Sequence, residues 1–296
     1  MELRTLKYFL IVAREENITK AAGLLHVTQP TLSRQLMQLE EELGVKLFKR
    51  SNHSIVLTDE GMLLKRRAQE LVSLAEKTQR EFSHEGQQLS GEIAIGSGEL
   101  HSVDFLSHML SAFQKEHPLV RYEIYSGNAD SIKERIEKGL LDFGLLLEPV
   151  DIGKYEFARM PVKEQWSVLT RNDGPLAAKE RVTPQDLANI PLLMSGRTLV
   201  QNELANWFGG YYDQLNITGT FNLLYNAAIM VKNGMGTALC LKLDSQFSDL
   251  RFVPLSPDLP AGSVLAWKKN QTLSPTTSAF IEYAKKYIIR ISGDST

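Results

Sequence analysis

Between residues 28 and 38 the chain presents Thr28, Gln29, Thr31, Ser33, Arg34 and Gln38, a set of hydroxyls, amides and one guanidinium. These groups exchange hydrogen bonds with base edges and phosphates. Their spacing gathers them on one side of a helix, because Leu32, Leu36, Leu39 and Leu43 step by four, three and four along the other. Thr28 can cap that helix through its hydroxyl. Pro30 falls in the first turn, where no backbone donor is needed. A leucine ridge behind a polar front is the build of a helix that enters the DNA major groove. A polar-fronted surface helix with no nucleic-acid role is the competing reading.

Such a helix needs a support. Leu3, Leu6, Phe9, Leu10 and Ala13 predict a first helix with one apolar face. Asn17-Ile18-Thr19 opens a second, with Ala21, Ala22, Leu24 and Leu25 on its packing side. His26-Val27 breaks the pattern, so residues 18–37 read as a helix-turn-helix. Gly44 ends the polar-fronted helix. Val45–Phe48 and Ile55–Leu57 read as two short strands around a basic, polar loop, Lys49 to Ser54. That pair makes a wing able to reach phosphates or a narrow minor groove. Arg50 is its candidate phosphate contact, unless it pairs with the Glu40–Glu42 cluster.

The run from Thr19 to Arg50, TKAAGLLHVTQPTLSRQLMQLEEELGVKLFKR, closely resembles the N-terminal signature of the LysR-type transcriptional regulators. The match is nearly unbroken and has one register. It implies that Gln29, Pro30, Thr31, Ser33 and Arg34 meet the groove of double-stranded DNA, with Thr28 and Arg50 on the backbone. Family members often carry a second arginine in the wing. His53 stands in that place here and is mostly neutral at pH 7, which weakens any minor-groove contact.

Thr58-Asp59-Glu60 caps and charges the start of a long helix reaching about Gln88. Leu64, Ala68, Leu71, Ala75, Thr78 and Phe82 step along it by four, three, four, three and four, a heptad seam that predicts a coiled-coil partner. Packing on its own domain is the alternative. The resemblance implies a linker helix pairing two subunits, and a dimer or dimer of dimers.

Gly86 to Gly91 reads as a hinge. Beyond it strands and helices alternate. Glu92–Gly96, Val120–Tyr125 and Phe143–Leu147 are expected strands, with helices at Phe105–Lys115 and Ser131–Glu137 between them. That order predicts a parallel sheet with right-handed crossovers. A second set follows: strands at Trp166–Thr170, Leu192–Met194, Ile217–Leu224, Thr237–Leu241 and Ser263–Trp267, with helices near Leu199–Phe208 and Tyr225–Lys232 and a last one at Thr276–Ile288. The expected fold is α/β: a winged helix-turn-helix (1–58), a linker helix and hinge (59–89), and an effector domain (90–296). The resemblance implies a periplasmic-binding-protein-like effector domain of two subdomains, 90–161 with 268–296, and 162–267.

Ligands of open parallel sheets bind beyond the carboxyl ends of the strands. Those ends carry Ser97, Gly98 and Glu99, then Asn128, Glu148, Ser195 and Arg197, and finally Tyr225 and Asn226. Any one of these loops reads alone as an ordinary strand-to-helix turn; their joint occurrence marks a small-molecule effector site, where the family places it. If Glu99 and Glu148 face the cleft they disfavour a bare anion, while Arg197 favours one. The expected effector therefore carries an amine or hydroxyls beside an acid, and is not a simple dicarboxylate.

The remaining features exclude rather than assign. The chain has 296 residues and a formal net charge of -2, so it is not basic as a whole. Residues 1–58 hold eight Lys/Arg against six Asp/Glu, while 91–296 hold twenty against twenty-three. No run is long and apolar enough to span a membrane and there is no secretory start, which suggests a cytoplasmic location. The one cysteine, Cys240, excludes an internal disulfide. The histidines are scattered, no cofactor is implied, and Ser97 lacks a nucleophile elbow. An α/β enzyme would need an acid/base pair that the sequence does not show. An exported solute-binding protein would have no use for residues 1–88. The expected mechanism is linkage: effector binding moves the subdomains, re-angles the paired DNA-binding domains and changes contact with RNA polymerase.

Overall fold

The structure is a computed structural model and describes residues 1–50, 55–82 and 89–293. It divides into two compact units, Met1–Ser83 and His84–Thr296.

In the first unit, α1 (Leu3–Glu15) buries Leu6, Phe9, Val12 and Ala13. Glu16 turns the chain through a left-handed φ of 50°, and the Asn17 side chain caps α2 (Ile18–Leu24) by accepting from the Lys20 N–H. His26, also left-handed at φ 52°, carries the turn into α3 (Gln29–Leu43). Gly44 closes α3 at φ 68°, a conformation glycine adopts without strain. The hairpin of β1 (Phe48–Arg50) and β2 (Ile55–Leu57) follows, antiparallel, with Phe48 opposite Leu57. The expected strand at Val45–Phe48 starts later because side chains claim the preceding backbone. The Glu40 carboxylate accepts from the Leu47 and Phe48 N–H groups, and the Thr58 hydroxyl donates to the Lys46 carbonyl. Residues 51–54, with His53, lie outside the described residues, as does the Arg50 side chain.

Helix α4 (Asp59–Phe82) is capped by Thr58, whose hydroxyl accepts from the Gly61 N–H at 2.9 Å. Gly61 lies so close to the strand that a Cβ there would meet the Leu47 carbonyl oxygen at 2.1 Å. The predicted heptad seam divides. Ala68 is buried, and with Val72 and half-buried Leu64 it joins the core of its own unit, packed on α1. Leu71 remains exposed, as do Leu63 and Leu74. The end of the expected helix, residues 83–88, lies outside the described residues.

The second unit holds two mixed sheets. Its elements run β3 (Ser90–Ser97), α5 (Ser102–Glu116), β4 (Leu119–Ser126), α6 (Ala129–Glu137), β5 (Phe143–Leu147), β6 (Tyr155–Arg159), β7 (Glu164–Arg171), α7 (Pro184–Leu187), β8 (Pro191–Ser195), α8 (Thr198–Phe208), β9 (Asn216–Phe221), α9 (Leu224–Lys232), β10 (Thr237–Leu241), β11 (Leu250–Pro254), β12 (Pro260–Ala261), β13 (Ser263–Lys268) and α10 (Pro275–Gly293). The first sheet has the order β4-β3-β5-β13-β6; the second is β11-β7-β10-β8-β9, with β12 on β7. β3, β4 and β5 are parallel, as the alternation predicts, whereas β13 runs antiparallel to both β5 and β6. Residues 263–267, expected in the second subdomain, therefore belong to the first sheet, and the return crossing precedes Ser263. In the second sheet β8, β9 and β10 are parallel, while β7 runs antiparallel to β10 and β11. The strand expected to run to Leu224 stops at Phe221, because Leu224 opens α9.

Each sheet is covered on both faces. Phe113, Phe143, Phe280 and Trp267 form the aromatic heart of one core of the first sheet. Ile132, Ile136 and Leu146 fill the other face under α6. On the second sheet α8 covers one face through Val200 and Leu204, and α9 covers the other through Ala227, Ala228 and Val231.

Candidate DNA-contact face and effector cavity

On α3 the ridge and the front separate as predicted. Leu32, Leu36 and Leu39 are buried, whereas Leu43, at the end of the ridge, is 39% exposed. Leu24 on α2 also faces out, at 51%. Gln29, Pro30, Thr31 and Arg34 are exposed and Ser33 is half-buried. The front is pre-ordered by its own contacts. The Gln29 side-chain amide donates to the Ser33 hydroxyl at 2.9 Å, and the Thr28 and Thr31 hydroxyls lie 2.8 Å apart. Thr28 caps the helix as expected, accepting from the Thr31 N–H. The Glu40–Glu42 cluster is largely engaged elsewhere: Glu40 with Lys46 at 2.7 Å, and Glu42 with the N-terminal amine.

In the second unit a cavity of about 100 Å³ opens beyond the carboxyl ends of the strands, between the two sheets. The β3–α5 turn gives it Gly98, Glu99 and Leu100, and the β4–α6 turn gives Gly127, Asn128 and Ala129. Ser195, Arg197 and Val200 line it from β8 and α8, and Phe221, Asn222 and Leu224 from the β9–α9 turn. Leu145, Leu147, Trp166, Leu239 and Leu241 supply an apolar floor. Cys240 is buried in the same wall, and burial pushes its thiol up to about 12, so it stays a protonated packing group.

Five predicted effector residues thus share one cavity: Gly98, Glu99, Asn128, Ser195 and Arg197. The other four do not line it. Ser97 is buried and its hydroxyl donates to the Gly98 carbonyl, shaping the turn. Glu148 does not line the cavity and instead faces Arg159 at 3.6 Å. Tyr225 and Asn226 lie on the outer side of α9, with Tyr225 63% exposed. The turns after β3, β4 and β8 reach the cavity, and tertiary packing decides which side chain of each turn points inward.

The cavity is ringed by helix N-termini, and side-chain acceptors occupy most of them. Glu164, fully buried on β7, accepts from the His101 and Ser102 N–H groups at the start of α5. Asn128 accepts from Ser131 N–H in α6. The Glu99 carboxylate accepts from the Leu224 N–H that opens α9. Carboxylates are favoured at these positions by the free N–H groups and the helix dipole. Sequence reasoning missed Glu164: no periodicity marks a buried carboxylate whose partners are distant in sequence. Arg197 bridges to Asp130 on α6 through Nε at 3.1 Å. Among the described residues, no cluster of His, Cys, Asp and Glu could hold a metal ion, and no helix is long and apolar enough to cross a membrane.

A helix-turn-helix unit followed in the chain by a two-sheet unit with a cavity between its sheets is the domain composition of a ligand-responsive regulator. Residues 3–62 match the bacterial regulatory helix-turn-helix proteins of the lysR family, and residues 86–288 match the LysR substrate binding domain. The chain belongs to the LysR family and is a DNA-binding transcriptional regulator, not an enzyme. It is 28% identical to the Bacillus subtilis HTH-type transcriptional regulator YwqM, over 97% of this chain and 99% of that one. It is 28% identical to the Escherichia coli Hca operon transcriptional activator HcaR, over 99% and 100%. Its fold matches the crystal structure of full-length CbnR with its target DNA, with a TM-score of 0.75 at 20% identity, covering 97% of this chain and all of that one.

Proposed function

We propose that this regulator reads its operator with Gln29, Pro30, Thr31, Ser33 and Arg34, holds the phosphate backbone with Thr28 and Arg50, and sets His53 near the DNA from the wing. The observation that carries this reading is the division of α3 into a buried leucine ridge and an exposed, internally hydrogen-bonded polar front. The similarity to CbnR, solved with its target DNA, supports the same use of the first unit. Two subunits pair, through the exposed side of α4 among other surfaces, so that two recognition helices address half-sites on one face of the duplex. A dimer, or a dimer of dimers, acts in the cytoplasm on double-stranded DNA.

A small effector occupies the cavity of the second unit and touches Gly98, Glu99, Asn128, Ser195 and Arg197. Its binding shifts the balance between arrangements of the two sheets, and through them operator geometry and contact with RNA polymerase. That shift is bounded by the difference in effector affinity between the arrangements. The test is a mobility-shift titration of the purified protein on the promoter region beside its own gene. Specific retention that weakens steeply with added salt is expected, since phosphate contacts release counterions. Retention equal to that of unrelated DNA at every salt concentration would refute the reading.

A further inference from the structure

We infer that Met37 reads the C5 methyl group of a thymine in the operator, as the apolar end of the front of α3. This rests on the operator reading given above and adds a residue to it. Counting about 100° per residue from Gln29, Ser33 stands at ~40°, Pro30 at ~100° and Arg34 at ~140° around the helix axis. Met37 falls at ~80°, in the middle of that arc. The buried ridge of Leu32, Leu36 and Leu39 lies on the far side, between about 280° and 340°. Met37 is 43% exposed and stands outside the core that the ridge helps to form. A single exposed methionine is ordinary on a protein surface. One centred among Gln29, Ser33 and Arg34 is carried to the same groove as they are.

Its height on the helix agrees. A rise of ~1.5 Å per residue puts Met37 ~4.5 Å beyond Arg34, against ~3.4 Å between successive bases of a strand. A helix lying along the groove therefore brings Met37 about one base pair past the one that Arg34 reaches. Gln38, the other exposed residue of this turn, is set to the side: it lines a cleft against α1 with Met1, Glu2 and Thr5. One turn further on, Glu41 presents an exposed carboxylate, whose charge opposes the approach of phosphates. Met37 is thus the last residue on the arc that DNA can approach closely.

The chemistry of the side chain names its partner. Methionine has no donor and only a weak acceptor, so it does not tell bases apart by hydrogen bonding. Base edges in the major groove offer it one apolar group, the thymine methyl. An unbranched, polarizable thioether can settle on that methyl, while the Gln29 amide stays fixed on the Ser33 hydroxyl at 2.9 Å. Cytosine in the same place would press its exocyclic amine against a partner that cannot accept from it.

The probe is the promoter duplex beside the protein's own gene, made once with thymine and once with uracil throughout, which removes only the C5 methyl groups. Full-length protein is titrated on both by mobility shift at one salt concentration. Met37→Ala should bind the thymine duplex about fourfold more weakly than wild type, the effect of burying one methyl-sized group, and the uracil duplex equally well. Met37→Leu keeps an apolar side chain of similar volume and should retain most of the preference for thymine. Equal losses of Met37→Ala on both duplexes, or a loss on neither, would overturn the inference. Equal losses together with a lower sedimentation coefficient would overturn it by placing Met37 against a second subunit. Arg34→Ala tells this failure from that of the operator reading, since it should weaken both duplexes and leave the thymine preference in place. If Arg34→Ala binds both like wild type, the operator reading fails and Met37 falls with it. If it shows its loss while Met37→Ala shows none, only Met37 leaves the reading face.

Discussion

Glu40 ties α3 to the wing with one side chain. One carboxylate oxygen accepts from the Leu47 and Phe48 N–H groups at 2.9 and 3.3 Å, and the other meets Lys46 at 2.7 Å. Burial opposes its charge, but the Lys46 ammonium and the two amides outweigh burial and hold the carboxyl below its usual range. Because the folded-state value is the lower one, this contribution is complete at neutral pH and is lost as pH falls through that value. Glu40→Ala should destabilise the N-terminal unit by about 1–3 kcal/mol at pH 7, since two buried N–H groups lose their acceptor. Urea unfolding followed at several pH values checks this. The gap from wild type should shrink in acid, and a gap independent of pH would assign the loss to packing instead. The sequence placed Glu40 in an acidic cluster but could not show that its partners lie on the following segment. Arg197 and Glu164 were equally hidden in that respect. Their residue types were visible, but their surroundings depend on strands far away in the chain.

At the scale of elements, periodicity served best where one face alone is buried. The stripe of α3 was legible because the leucines step at helical spacing on a helix with one solvent face. β5 and β10 matched their expected bounds, being short apolar runs between clear turns. β6, β11 and β12 were missed, and β13 was placed in the wrong subdomain. Pairing across a sheet is decided by tertiary contacts that a local pattern does not carry. Helix α4 shows the same limit. A seam at steps of four and three fits both a partner helix and the helix's own domain, and here part of it packs on its own domain. Ala68 and Val72 face inward while Leu63, Leu71 and Leu74 face out. Ala68→Glu should therefore unfold the N-terminal unit, because it buries an unpaired charge. Leu71→Glu should leave the unit folded and weaken subunit pairing. Circular dichroism with sedimentation velocity separates the two, and an unchanged sedimentation coefficient for Leu71→Glu would remove that residue from the interface.

At the scale of the whole molecule the chemistry is divided. One unit carries exposed hydroxyl, amide and guanidinium groups, and the other carries a small cavity with an apolar floor between its two sheets. Affinity for DNA in general comes from phosphate contacts and is salt-dependent, whereas preference for one sequence comes from base edges. The two quantities separate at Arg34, on the exposed front of α3 proposed to read bases. The most direct measurement is the affinity of Arg34→Ala for the operator and for unrelated duplex of equal length, at one fixed salt concentration. A loss of about 1–3 kcal/mol on the operator is expected, with little change on unrelated DNA and a second unit that melts as in wild type. Operator affinity equal to wild type, or the same loss on both duplexes, would show that the front of α3 does not read bases.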